Sequence, residues 1–197
     1  TVTPASGSVT NAMLAGSIDL TSKVTGTLPV ANGGTNLSSG FANGITEADM
    51  FRLTTDTTAP SGDITNNLER VDDATFSKIG TGMSLSSGVY TFPTTGLYLV
   101  KNFNYIQAPN DTNAQIRILV SSDSGSSYDV VSLVEGGGQS TGELNVTVSQ
   151  EAFVNVTNAS NFRVKFTAVS FGSTTKLKGH SDHNETTFVF IRLGDSQ

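Results

Sequence analysis

The chain has 197 residues, no Cys, no Trp, 14% charged residues and a formal charge of −6. The acidic balance repels nucleic acid and offers no basic stripe for it, the missing Cys removes disulfides and thiol chemistry, and no apolar run is long enough to cross a membrane. This length suits one domain of about 150 residues plus an appendage, and abundant Gly, Ser, Thr and Asn beside β-branched residues points to an all-β protein with uncharged turns.

Residues 1–45 read as the appendage. Asp19 and Lys23 are their only charges, and apolar residues such as Val9, Leu14, Ile18 and Val24 come singly or in pairs, without a helical stripe. An extended attachment segment is expected, wrapped with two identical copies or docked on a larger assembly; a flexible linker is the alternative. The opening Thr1-Val-Thr-Pro4 has no initiator Met and no signal-peptide pattern, which fits a processed form or part of something longer. Within the segment, Gly26-Thr-Leu28-Pro29-Val30-Ala-Asn32-Gly33-Gly34-Thr35 joins an extended stretch at Pro29 to a tight turn at Asn32-Gly-Gly. This run closely resembles the GTLPVANGGTG element in fibre and tail-fibre proteins of tailed bacteriophages, especially marine or cyanophage types, with Asn36 in place of the last Gly. The resemblance implies that Leu28, Pro29, Val30, Gly33 and Gly34 belong to the attachment segment and that its partners are other virion proteins at the virion surface.

Residues 46–197 read as the head. Thr46-Glu-Ala-Asp-Met50 is expected to start one helical turn, with Thr46 as N-cap and Asp49 completing an imperfect capping box. Strands are then expected near 51–55, 64–71, 75–79, 89–92, 97–106, 114–121, 128–134, 143–150, 152–156, 162–171 and 186–193, separated by turns rich in Gly, Asn, Asp, Ser and Pro. Many short strands without a helix between them mean a sandwich or barrel. Alternation turns Ile116, Ile118 and Val120 inward, and likewise Leu144, Val146 and Val148, then Phe162, Val164, Phe166 and Ala168.

Two strands break that rule. In Leu97–Ile106 the even positions carry Tyr98, Val100 and Ile106 while the odd ones carry Leu97, Leu99, Phe103 and Tyr105. In the last strand, Phe188 and Phe190 on one side are matched by Val189, Ile191 and Leu193 on the other. One face of each can line the core, and the other needs a cover, for which another copy of the chain suffices. Gly88-Val-Tyr90-Thr-Phe92-Pro93-Thr-Thr-Gly96-Leu-Tyr98-Leu-Val100 resembles the corner of C1q/tumour-necrosis-factor-like jelly-roll domains, and Thr187–Leu193 resembles their closing strand; Val100 stands where that family usually has an aromatic. The resemblance implies a jelly-roll sandwich of about ten strands in a homotrimer, with Leu97, Leu99, Phe103, Tyr105, Val189, Ile191 and Leu193 at the trimer interface.

Candidate chemistry is sparse. His180-Ser-Asp182-His183-Asn-Glu185 carries donors that suit a transition metal, but Gly179, Ser181 and Asn184 favour a solvated turn, and no metal or other cofactor is assigned. Asp123-Ser-Gly-Ser-Ser-Tyr128 lacks the alternating carboxylates of a calcium loop and reads as a hairpin turn. Gly136-Gly-Gly138 is expected to be a mobile loop whose tip is a candidate for touching a sugar. No nucleophile constellation is visible, and Asp72 and Asp73 are expected at a strand end pointing apart, so catalysis is not expected. The combined expectation is a homotrimeric phage fibre whose head binds a host-surface glycan or protein multivalently. The alternative is a capsid decoration protein with a structural role.

Overall fold

The computed structural model describes residues 3, 5–6, 45–139 and 142–197. The motif residues Leu28, Pro29, Val30, Gly33 and Gly34 lie outside them. The described fold belongs to the unit Gly44–Gln197, and it is all β. Its strands are β1 (Ala48–Leu53), β2 (Thr55–Thr58), β3 (Gly62–Asp63), β4 (Leu68–Arg70), β5 (Ser84–Ser86), β6 (Val89–Thr91) and β7 (Gly96–Gln107), followed by β8 (Asp111–Ser121), β9 (Asp129–Gly138), β10 (Asn145–Val156), β11 (Arg163–Val169), β12 (Lys176–His180) and β13 (Thr187–Gly194).

They form two antiparallel sheets. In the first, β7 is the central strand: β10 pairs along one edge from Asn145↔Gln107 to Val156↔Gly96. The other edge is shared by β13, from Thr187↔Phe103 to Gly194↔Leu97, and by β12 at Leu177↔Ile106. Outside β13 come β1 and then β4, while β2 flanks β12. The second sheet runs β5-β6-β11-β8-β9, with β3 also on β11.

The corner before β7 is closed from two sides. The Tyr98 hydroxyl shares a hydrogen bond with the Thr94 hydroxyl at 2.9 Å, and Arg192 Nε donates to Thr95 O at 2.9 Å. Gly96 has φ 153°, and a Cβ there would lie 2.7 Å from Gly194 O, so the corner needs glycine on two counts. Between the sheets, Tyr90 sits at the centre of an aromatic cluster, with ring centroids 4.9 Å from Phe190, 5.0 Å from Phe51 and 5.8 Å from Phe166. The inward residues of β7 include two amides. Asn102 Nδ2 donates to Thr187 O at 3.0 Å, and Asn102 Oδ1 accepts from Asn104 Nδ2 at 2.7 Å and Gln150 Nε2 at 3.2 Å, tying three strands of the first sheet together.

Several sequence expectations are corrected. Thr46–Met50 is not helical; β1 begins at Ala48, because Asp49, Phe51 and Leu53 alternate into the interior. The carboxylates meant for a cap instead bind a distant loop: Glu47 Oε2 accepts from Gly82 N and Asp49 Oδ2 from Met83 N, both at 2.8 Å. Residues 75–79 form no strand, and Ile79 touches the sheet only through one bridge to Ala48. The two strands expected around Glu151 are one, β10.

Candidate functional site

Every apolar residue expected at an interface lies on one surface. Leu97, Leu99, Phe103 and Tyr105 project from β7 away from the core, and Val189, Ile191 and Leu193 do so from β13, because Tyr98, Val100, Phe188 and Phe190 take the inward positions. The register sets them side by side. Phe153, Leu99, Ile191 and Ala48 form one row across β10, β7, β13 and β1, and Glu151, Lys101, Val189 and Met50 form the next. Phe153, at one end of the first row, is 70% exposed, and Leu193 and Phe103 elsewhere on the face are 42% and 38% exposed, so the face carries bare aromatic and aliphatic surface. Sequence reasoning missed Phe153, because its outward neighbours on β10 are the polar Ser149, Glu151 and Asn155, and only the pairing of β10 with β7 sets it beside Leu99.

Beside this face lies the 180–185 turn. The rings of His180 and His183 stack at 4.0 Å between centroids, Asp182 N donates to His180 Nδ1 at 3.1 Å, and His183 Nε2 lies 3.6 Å from Glu185 Oε1. The imidazoles therefore face each other rather than a common point, and among the described residues no group of three or more His, Cys, Asp or Glu side chains is placed to hold a metal. Near it, Lys178 Nζ lies 2.5 Å from Asp56 Oδ2. Burial alone would raise the Asp56 pKa, but the hydrogen bonds from Lys178 and the Gly179 N–H and the Lys178 charge outweigh it and hold it low.

The other candidates are structural. Asp123 closes its own hairpin: its carboxylate accepts from the Ser127 hydroxyl at 2.6 Å, Ser127 N at 3.0 Å and the Ser121 hydroxyl at 2.7 Å. These bonds, led by Ser127, hold its pKa at about 2. Asp72 and Asp73 do not point apart. Both converge on the buried Arg52, at 2.7 Å and 2.8 Å, where Glu69 adds a third contact at 2.7 Å. Burial would lower the Arg52 pKa, yet the bonds to Glu69 and Asp73 leave it raised. Gly136-Gly-Gly138 is no mobile loop but the end of β9, paired with β8 from Ala114↔Gly136 to Asp111↔Gly138. Glycine is needed at Gly137, which has φ 149° and where a Cβ would collide with the backbone oxygen of Asp111. The sugar-contacting tip proposed for that segment loses its basis.

No family model matches the chain, and no curated protein matches it. Solved structures do. The TNF protein Eiger of S. frugiperda aligns with 11% identity over 76% of this chain and 94% of its own, at a TM-score of 0.59. The fold is a TNF-like jelly roll. Murine APRIL matches similarly, at pH 8.0 with 12% identity, 75% and 98% coverage and a TM-score of 0.50, and at pH 5.0 with 11% identity, 75% and 98% coverage and 0.51.

Proposed function

We propose that three copies of this jelly roll assemble through the outer face of the first sheet into the head of a tailed-bacteriophage virion fibre, and that the head binds the host surface. The observation that carries the assembly is the apolar row Phe153–Leu99–Ile191, a surface that a lone chain would leave wet. The virion assignment rests on the likeness of Gly26–Thr35 to phage fibre elements, and residues 1–45 are the attachment segment to other virion proteins. The function is adhesion rather than catalysis: three heads repeating one weak contact raise avidity by about 10²–10⁴ over a single site. A cytokine role like that of a TNF protein is disfavoured by the fibre-like motif.

Labelling the head of virion-incorporated chain and imaging intact particles tests the reading. Label at the tail, with host cells binding the isolated protein, is the expected result. Label spread over the capsid shell, with no cell binding, replaces adhesion by a decoration role in which residues 1–45 grip the shell.

A further inference from the structure

A second surface remains, away from the apolar row. Between β2 and β4 the chain loops out through residues 59–67 and walls a half-open cleft of about 280 Å³. Its walls carry the side chains of Thr57, Ser61, Thr65, Asn66 and Asn67. None of these five side chains makes a hydrogen bond within the described protein, although the backbone beneath them is fixed. Ala59 N donates to Thr175 O at 2.7 Å, Ile64 N to Phe166 O at 2.9 Å, and Thr54 N to Asn67 O at 2.8 Å. β3 is held to β11, so the loop is tied to both sheets. The rim is therefore rigid and its polar groups are uncommitted, which is the arrangement of a preformed binding site.

The chemistry of the lining selects the ligand. Hydroxyls and amides each offer a donor and an acceptor, and so match a partner that does the same at every edge. The one carboxylate of the lining among the described residues, Asp63, is already neutralised by Lys165 at 2.9 Å and bonded by the Thr167 hydroxyl at 3.0 Å. A cation would find no free carboxylate there, and an anion no free positive charge. Pro60 adds one partly exposed apolar ring at the rim, while Ile64 and Leu177 beneath it are buried in the core and form the floor. The volume is below that of a drug-sized pocket and matches a single ring.

We infer that this cleft binds a neutral saccharide, one pyranose unit at a time, through Ser61, Thr65, Asn66 and Asn67. The inference deepens the adhesion reading by assigning its contact site, and it rests on that reading only for the source of the glycan.

The test is ligand-observed NMR on the full chain with methyl α-mannoside, methyl β-galactoside and N-acetylglucosamine. Wild type is compared with Asn66→Ala/Asn67→Gly and with Ser61→Ala. Asn67 has φ 58°, so glycine removes its amide without straining the backbone. At least one sugar should bind, insensitively to added salt, and the double variant should weaken it by about ten-fold or more while the amide spectrum of the rest of the protein stays in place. No binding of any of the three sugars, or binding that both variants leave intact, overturns the inference. Host-cell adhesion measured on the same samples separates the two readings. Adhesion by wild type without sugar binding leaves the fibre reading standing and removes the cleft; sugar binding without adhesion does the reverse.

Discussion

Replacing Leu99 by Glu places a carboxylate in the middle of the row between Phe153 and Ile191. Leu99 is half-buried in the single chain, so covering its remainder is worth about 1–2 kcal/mol per protomer, all of which the substitution forfeits. Enclosing an unpaired carboxylate adds several kcal/mol more, reduced by the Lys101 ammonium on the same face. A net of about 3 kcal/mol per protomer is about 10 kcal/mol per trimer, roughly seven powers of ten in the assembly constant. Ile191→Glu, directly across the β7–β13 ladder, should act alike. Arg163→Glu should not, because Arg163 sits on β11 in the other sheet, its guanidinium donating to Phe162 O at 2.7 Å. Light scattering after size exclusion reads the outcome: wild type and Arg163→Glu at three times the 20.5 kDa chain mass, the two Glu variants at one. Near-ultraviolet dichroism checks that the variant monomers stay folded. A monomeric wild type, or Glu variants that keep the threefold mass, refutes the assignment of this face.

Arg52→Met should destabilise the jelly roll by about 1–2 kcal/mol in urea unfolding, since it removes three charge-assisted contacts but leaves Glu69, Asp72 and Asp73 within reach of water, and Arg52→Lys should restore little because an ammonium lacks the planar fork that reaches all three. Tyr90→Phe should stabilise by about 1 kcal/mol, because the buried Tyr90 hydroxyl has no hydrogen-bond partner among the described residues and its ring contacts survive the change; a loss of stability would mean that the hydroxyl is satisfied. For Asp123, the folded pKa of about 2 lies below the unfolded 3.8, so its bonds stabilise the protein above pH 3.8 and that contribution is lost as pH falls through 2. The gap in melting temperature between wild type and Asp123→Asn should therefore be constant near neutral pH and close between those two values; a gap that persists at lower pH would contradict the assignment.

Much of the sandwich was legible because its strands alternate. Ile116, Ile118, Val164, Phe166 and Ala168 are all in the core, and the double-apolar pattern of Leu97–Ile106 and Thr187–Leu193 correctly marked two strands that pair with each other. What failed did so for identifiable reasons. β12 has a single apolar residue, Leu177, between two lysines, and nothing in five residues announces a strand that pairing alone creates. Glu151 reads as a break between strands 143–150 and 152–156, yet Gln150 turns inward and donates to Asn102 Oδ1 and Ile116 O, and one strand runs through. Glycines misled in the opposite sense: Gly136–Gly138 resembled slack and proved to be a tightly packed strand end. The cleft at 57–67 was invisible, because Ser, Thr and Asn in a loop look alike whether they point to bulk water or share a concavity.

The first and last strands of the jelly roll lie side by side, Ala48 opposite Ile191, and the Thr46 hydroxyl accepts a hydrogen bond from Arg192. The first and last strands thus share one ladder at one end of the sheet, after which the tail crosses to β10, where Gln197 N donates to Asn155 Oδ1 at 2.9 Å, so that a permutation would have to link across β13 and β7 from Gln197 back to Ile45. New ends would then open in the turn between β8 and β9 at the exposed Ser126-Ser127, at the cost of the Asp123 bonds that close it.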